Sequence, residues 1–266
     1  MPAPTEPAGQ QRQAATGDLE GEMPVYRARR DAEAYGHCIG ILLLDYRAPF
    51  VPGDVGNATS YDYPVLYRTV SGATATRVLN ADPELEKAVI ETAQELERQG
   101  VKGISSDCGF FINYQAVVTS AVKVPVFLSS LLQRPFVSSF IGDDRSIGVI
   151  TASSRALGKQ VLDLTGIEPD RTVVIQGMQD EPEFDRSVMK EGDTLDTDRI
   201  ERETVNVAKR MVREHPDMGA IILECSMLPP YAKAVQKATG LPVFDFLTMI
   251  DYFQKGTHPK EYRGYY

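Results

Sequence analysis

The chain has 266 residues, 42% of them hydrophobic, which is enough for one large α/β domain or two compact lobes. Its formal net charge of -9, without a basic run, argues against a nucleic acid or an anionic membrane surface as partner. No segment approaches the ~20 consecutive apolar residues of a membrane-spanning helix, and the first residues lack the pattern of a secretory signal. We therefore expect a cytoplasmic protein that acts on a small molecule.

The predicted elements begin after residues 1–34, which are rich in Pro, Ala, Gln and Glu and are expected to form a flexible tail. Short apolar runs then alternate with longer helical patterns, which is typical of βα units and a mostly parallel sheet. The runs predicted as strands are 39–45, 101–107, 124–129, 146–151, 172–177, 219–224 and 241–246.

Two predicted helices have clear boundary signals. In the first, Asp82 is the expected N-cap and Gly100 ends the helix. In the second, Asp196 or Asp198 is the cap and the pattern ends at Pro216. Each helix precedes a strand that ends in an acidic residue followed by a cysteine.

An internal repeat relates the two cysteine regions. The segment KGISSDCGFFINYQAVVTSAVKVPVFL (102–128) aligns without a gap on GAIILECSMLPPYAKAVQKATGLPVFD (219–245). The alignment pairs Asp107 with Glu224, Cys108 with Cys225 and Tyr114 with Tyr231. Each copy is predicted to be a strand, a cysteine at its C-terminal end, a helix and a second strand. In open α/β sheets, ligands bind at that edge.

The cysteines are candidate proton-transfer groups. A thiol at a helix N-terminus is expected to have a lowered pKa, although the preceding acid opposes this shift. If Cys108 and Cys225 face each other across a cleft, one takes a proton from a carbon atom and the other gives one, without metal or cofactor. Either cysteine alone is more simply a buried apolar residue, and a reducing compartment disfavours a disulfide between them. Cys38 has no counterpart in the other copy and is expected to be structural.

These features resemble the aspartate/glutamate/hydantoin racemase superfamily, over about residues 38–255. The resemblance implies an α/β fold with two pseudo-symmetric Rossmann-like lobes, mostly parallel sheets and an active site in the cleft between them. Cys108 and Cys225 would be the catalytic residues, and a homo-oligomer is expected. We expect lobe 1 to comprise 35–130 plus 241–266, including the last strand, and lobe 2 to comprise 131–240.

The segment GVITASS at 148–154 is similar to the superfamily's hydroxyl-rich loop for the substrate carboxylate. By that resemblance Thr151, Ser153 and Ser154 would donate hydrogen bonds at a helix N-terminus. The alternative for these three residues is a plain helix cap.

Two further segments resemble one branch of the superfamily. PGDVGN at 52–57, together with DCGFF at 107–111, is similar to the Alma-type algal lyases of dimethylsulfoniopropionate (DMSP). In that branch a cysteine would remove the proton next to the substrate carboxylate, and dimethyl sulfide would leave to give acrylate. Two alternatives stay open: a racemase of aspartate, glutamate or a hydantoin, and a non-catalytic small-molecule-binding protein.

A sulfonium cation favours aromatic faces and nearby negative charge. The candidate substrate contacts beside the cysteines are Asp107, Gly109, Phe110, Tyr114, Glu224 and Ser226. The alternative for Phe110 and Phe111 is packing of at least one of them on the sheet. The turn-rich segment 46–64 is predicted to be a functional loop over the cleft, with Arg47, Asp54 and Asn57 as further candidates.

Other site chemistries have little support in the sequence. His37, His215 and His258 are scattered, and no Cys or His spacing matches a zinc site, so no metal is predicted. A G-x-G-x-x-G or P-loop pattern is also missing, so no nucleotide cofactor is predicted.

Overall fold

The chain was analysed as a computed structural model. It describes Val25 and residues 27–30, 32–166, 172–262 and 264–265. Two units are separated, residues 1–30 and residues 31–266. Most of the predicted tail lies outside the described residues, and Val25 and 27–30 form no helix or strand. All elements given below belong to the second unit.

Parallel strands form two sheets in the described part of the chain. The strands are β1 (Ile39–Leu43), β2 (Val65–Thr69), β3 (Gly103–Ser106), β4 (Ser146–Thr151), β5 (Val173–Gly177), β6 (Met218–Leu223) and β7 (Val243–Phe244). The first sheet has the order β2-β1-β3 and the second β5-β4-β6-β7, with every pair parallel. A single bridge between Ile104 and Val126 extends the first sheet beyond β3, at the position that β7 has in the second.

Helices connect the strands on both sides. The α-helices are α1 (Ala75–Leu79), α2 (Glu86–Gln99), α3 (Gln115–Ala121), α4 (Arg134–Phe140), α5 (Lys159–Asp163), α6 (Pro182–Phe184), α7 (Thr197–Glu214), α8 (Ala232–Thr239) and α9 (Phe246–Thr257). Short 3-10 turns lie at Ala58–Ser60, Pro83–Leu85, Gly109–Tyr114, Ser130–Gln133 and Pro229–Tyr231, and a π-helical turn, Asp185–Met189, follows α6. This arrangement confirms the predicted α/β fold. None of the described helices has the length and hydropathy needed to cross a bilayer.

The two predicted helix boundaries are confirmed. Asp82 caps the 3-10 turn that leads into α2, and α2 ends at Gly100. The φ of Gly100 is +91°, in the left-handed region that glycine adopts at helix ends. Asp196 rather than Asp198 caps α7, because its side chain accepts the N–H of Arg199.

The strands differ from the prediction in two places. β2 was not predicted because it follows directly on the turn-rich segment 46–64 and is only half-buried. The run 124–129 forms no strand beyond the bridge at Val126, because the chain leaves the sheet at Ser129 to cap the next 3-10 turn.

The last strand lies in the second sheet. β7 pairs with β6 through Ile221 and Val243, so the expectation that it returns to lobe 1 is wrong. The connection through α8 is short and places β7 beside the strand that precedes it. By contrast, Phe246 and Ile250 of α9 pack with Ile39 of the first sheet. The other lobe limits stay a prediction.

The two sheets share a buried core. One hydrophobic cluster contains Leu42 and Ile104 from the first sheet together with Val149 and Ile222 from the second. Burial of this apolar surface stabilises one arrangement of the two sheets. The C-terminal ends of β1, β3, β4 and β6 are therefore held next to one another.

Candidate active site

The two cysteines occupy equivalent turns at the C-terminal ends of β3 and β6. Each thiol accepts the backbone N–H two residues further on, from Phe110 for Cys108 and from Met227 for Cys225. Cys225 is buried and Cys108 is partly exposed. Both are free thiols, as is Cys38, so the disulfide alternative is not formed.

The acidic residue before each cysteine is buried and held by the other strand of its sheet. Asp107 accepts the N–H of Leu44 through Oδ1 at 2.9 Å, just after β1. Glu224 accepts the hydroxyl of Thr151 through Oε2 at 2.7 Å and the N–H of Ala152, at the end of β4. Burial raises the pKa of each carboxyl to about 7 because the charged form loses solvation.

A cavity of about 110 Å³ lies where these strand ends meet. This volume suits a small molecule rather than a nucleotide. The lining residues are Leu44, Tyr46, Phe50, Ala75, Thr76, Leu79, Asp107, Cys108, Gly109, Phe110, Ala152, Val188, Met189, Glu224, Cys225, Ser226 and Met227. Among these described residues there is no Lys, Arg or His, so the charge that the lining can supply is negative.

The pKa of both thiols is raised, so the expectation of a lowered value is wrong. Burial is the largest cause for Cys108 and for Cys225, and the charge of Glu224 is the next. The N–H groups of Phe110 and Met227 lower the pKa of the thiols but do not offset these effects. The thiols are therefore protonated near neutral pH.

The cavity brings together about half of the predicted site residues. Those that line it are Asp107, Cys108, Gly109, Phe110, Glu224, Cys225 and Ser226. Those that do not are Arg47, Asp54, Asn57, Tyr114, Thr151, Ser153 and Ser154. Phe111, by contrast with Phe110, is buried in the core away from the cavity, as the packing alternative expects for one of the two.

The three candidates in segment 46–64 lie outside the cavity. Asn57 donates to the carbonyl of Phe50 at 2.8 Å, and Asp54 accepts the N–H of Gly56 at 2.7 Å, so both connect the loop to itself. Asp54 is fully buried, and burial raises the pKa of its carboxyl well above the usual range. Arg47 is exposed.

The other four candidates have partners within the protein. Tyr114 donates to the carbonyl of Asp82 at 2.8 Å, and Thr151 is bonded to Glu224 as described above. The N–H of Ser154 donates to the side chain of Gln179. Ser153 is buried, and its carbonyl accepts from the turn that follows β4.

Sequence reasoning missed several lining residues. Tyr46 and Phe50 lie in the loop that was predicted to cover the cleft but were not singled out. Val188 and Met189 come from the π-helical turn after α6, a feature often found at functional sites. The Tyr46 hydroxyl donates to the carbonyl of Val188 at 2.6 Å, which joins the loop to this turn. Of these missed residues, Met227 could have been identified from the internal repeat, because it lies two residues after Cys225.

No group of three or more His, Cys, Asp or Glu in the described part of the chain is arranged to hold a metal ion. The chemistry that the cavity itself offers is that of two thiols and two carboxyls. Groups of these two kinds can exchange protons with a bound molecule.

The chain is similar to proteins named as dimethylsulfoniopropionate lyases. It is 36% identical over 225 residues to a dimethylsulfoniopropionate lyase from Durusdinium sp. clade D, covering 82% of this chain and 74% of that one. It is 37% identical to dimethylsulfoniopropionate lyase 7 and 38% identical to dimethylsulfoniopropionate lyase 6 of Emiliania huxleyi (strain CCMP1516). Those matches cover 81% and 79% of this chain but 65% and 57% of the relatives, so the chain spans less than two thirds of their length.

Solved structures show the same fold. An allantoin racemase from Pseudomonas fluorescens superposes with a TM-score of 0.59 at 14% identity, over 85% of this chain and 100% of that one. A glutamate racemase from Bacillus anthracis gives 0.55 at 13% identity, over 84% and 83%. No family model matches the chain. The chain belongs to the dimethylsulfoniopropionate lyase family and has the α/β fold of the aspartate/glutamate racemase superfamily.

Proposed function

We propose that this protein is a lyase that cleaves DMSP to dimethyl sulfide and acrylate. The observation that carries the proposal is the cavity between the two cysteine turns, whose lining combines thiols, carboxyls and aromatic rings without a cationic side chain among the described residues. Membership of the DMSP lyase family supports the same substrate.

The lining suits a sulfonium cation. Such a cation has no N–H groups and is stabilised by aromatic faces and by negative charge rather than by directed hydrogen bonds. Tyr46, Phe50 and Phe110 provide aromatic rings, and Asp107 and Glu224 provide carboxyls.

The reaction requires one base and one leaving group. A cysteine thiolate takes the proton from the carbon next to the carboxylate of DMSP. The electron pair of that C–H bond forms the carbon–carbon double bond of acrylate, while the electron pair of the C–S bond leaves with dimethyl sulfide. The thiol then returns its proton to water. No cofactor is needed in these reaction steps, and we propose none.

One of the two cysteines acts as the base in this proposal. Burial and the neighbouring carboxyls keep the thiols protonated, and the positive charge of a bound sulfonium offsets both effects. The substrate thereby favours the thiolate that attacks it. General-base catalysis of this kind contributes about 10²–10⁴-fold to a rate.

The test is release of dimethyl sulfide by the purified protein. We expect headspace gas chromatography to detect dimethyl sulfide from DMSP, and chiral chromatography to detect no racemisation of aspartate, glutamate, allantoin or a hydantoin. Alkylation of the thiols should abolish the release, and Cys38→Ser, which removes the cysteine outside the cavity, should retain it. Racemisation of any of these compounds without lyase activity would replace the proposal with the racemase alternative.

A further inference from the structure

The carboxyl of Glu224 is held at one oxygen and unpartnered at the other. Thr151 and Ala152 donate to the carboxyl, with Oε2 at 2.7 Å from the Thr151 hydroxyl. Oε1 is buried and has no hydrogen-bond partner. Among the described residues that line the cavity, only Glu224 has a buried side-chain nitrogen or oxygen atom without a hydrogen-bond partner. Buried acceptors without a partner are rare and costly, and the residue that carries this one lines the cavity.

The unpartnered oxygen lies against the other cysteine turn. A Cβ atom built on Gly109 would be 1.9 Å from Oε1 of Glu224, so the carboxyl occupies the space that any side chain at this position would need. Gly109 directly follows Cys108, whereas Glu224 directly precedes Cys225. The carboxyl of Glu224 therefore lies against the turn that carries Cys108.

Asp107, the equivalent acid, is placed differently. Its Oδ1 accepts the N–H of Leu44, and neither of its oxygens is both buried and without a partner. The residue after the opposite cysteine is Ser226, whose side chain donates to the carbonyl of Asp107. In the second turn the side chain of Ser226 therefore occupies the space that corresponds to the one without a side chain at Gly109 in the first turn.

We propose that Glu224 is the group that recognises the positive charge of the substrate, and that residue 109 is glycine so that this carboxyl can lie between the cysteine turns. Because Oε1 has no donor from the protein, its negative charge is available to a bound cation, which includes a sulfonium. In a buried cavity the attraction between the two charges is several times stronger than in water. The inference rests on the proposed function only in taking the substrate to be a cation.

Recognition by Glu224 couples substrate binding to thiol ionisation. After burial, the charge of Glu224 is the largest cause that raises the pKa of both cysteines. A cation beside Glu224 neutralises that charge and so favours both the ionised carboxyl and a thiolate. Ligands without a positive charge leave the thiols protonated.

Binding of two probes that do not need turnover tests the proposal. The probes are 3-(trimethylammonio)propionate, a cation with a carboxylate, and 4,4-dimethylpentanoate, which has the same shape without the positive charge. By isothermal titration calorimetry we expect wild type to bind the cationic probe more tightly. Glu224→Gln should weaken that binding by about tenfold or more, the size of a lost charge-assisted contact. It should not weaken the binding of 4,4-dimethylpentanoate, whose only charge is its carboxylate, and the matched Asp107→Asn should weaken the binding of the cationic probe less.

Three results would overturn the proposal. The first is equal affinity of wild type for the two probes. The second is an equal loss of affinity for both probes in Glu224→Gln. The third is a loss of affinity for the cationic probe that is larger in Asp107→Asn than in Glu224→Gln. A second readout is the ultraviolet absorbance of the thiolates. Removal of the Glu224 charge should move their titration to lower pH, a change that a merely structural role would not produce.

Gly109→Ala gives an independent test. Its methyl group would displace the Glu224 carboxyl and would also lie 2.7 Å from the backbone carbonyl oxygen of Glu224, so we expect weaker binding of the cationic probe. Gly158→Ala is the matched control, because a Cβ at Gly158 meets nothing within 4 Å. If Gly109→Ala keeps the wild-type preference for the cation, the position assigned to Glu224 is wrong. The wild-type protein could prefer the cationic probe, lose that preference in Glu224→Gln, and still release no dimethyl sulfide. That result would refute the proposed lyase activity but not the role of Glu224 in cation recognition.

Discussion

The two cysteine turns have the same backbone but different side chains. In both copies the acid before the cysteine donates its N–H to the first strand of its own sheet, Asp107 to Leu42 at 3.0 Å and Glu224 to Ile150 at 2.8 Å. The side chains then diverge. Gly109 follows the first cysteine and makes room for Glu224, whereas Ser226 follows the second and donates to Asp107.

The tyrosines of the repeat differ in the same way. The hydroxyl of Tyr114 donates to the carbonyl of Asp82, while the hydroxyl of Tyr231 is buried without a partner. Repetition of a backbone therefore does not make the two thiols equivalent. A racemase needs similar groups on both faces of a carbon atom, but an elimination needs a base on one face only. The unlike side chains favour elimination.

The largest expected effect comes from removing each thiol separately. Cys108→Ser and Cys225→Ser should differ, because only one cysteine is the base for a given C–H bond. We expect one variant to lose about 10³-fold in kcat, within the range of general-base catalysis, and the other to lose much less. Initial rates of dimethyl sulfide release measure this. Equal, large losses in both variants would indicate a two-base racemase mechanism, and wild-type rates in both would exclude the cysteine mechanism.

Exchanging the residues after the cysteines is expected to have the next largest effect. Gly109→Ser places an oxygen where the Glu224 carboxyl lies and should reduce kcat/KM by about a hundredfold, as a displacement of about 1 Å at a reacting site does. Ser226→Gly leaves a space instead and should have a smaller effect. If Ser226→Gly proves the more damaging, the asymmetry described here is reversed.

A smaller effect on activity is expected from removing a hydrogen bond in the cavity lining. Tyr46→Phe removes the hydrogen bond to the Val188 carbonyl but keeps the ring in the lining. The net value of such a bond is about 1 kcal/mol, so we expect KM for DMSP to rise about fivefold with little change in kcat. A fall in kcat with unchanged KM would place Tyr46 in the chemical step rather than in binding.

The smallest effect concerns stability. The pKa of the Glu224 carboxyl is about 7, above the roughly 4.3 of an unfolded chain. Its contribution to stability is thus fully present below about pH 4 and is lost as the pH rises through 7. Between pH 6 and 8 the loss is on the order of 1 kcal/mol, or about 2–4 °C in Tm. Scanning calorimetry should show that the Tm of wild type falls as the pH rises from 6 to 8. In Glu224→Gln the fall in Tm should be smaller by these few degrees.

Local patterns made part of the fold and site predictable. The caps at Asp82 and Asp196 and the glycine at Gly100 are read from a few neighbouring residues, and each ends or begins a helix where expected. The repeat placed Cys108 and Cys225 at strand ends, and the carboxyl ends of parallel strands meet at one edge of a sheet.

The remaining features depend on parts of the chain that are distant in sequence. Val188 and Met189 enter the cavity only because α6 and its π-helical turn fold back over it. The direction of the thiol pKa could not be predicted from a helix N-terminus, since burial and the charge of Glu224 outweigh the local N–H groups. Tyr114 lies next to the site in sequence but bonds to Asp82, away from it.

The most direct test of the account is proton NMR of the purified protein with DMSP in D₂O. We predict that the vinyl signals of acrylate and the methyl signal of dimethyl sulfide appear together, and that neither appears after alkylation of the thiols. Deuterium entering the carbon next to the carboxylate without cleavage of DMSP would contradict the elimination. Unchanged DMSP spectra would show that this cavity does not act on the sulfonium substrate.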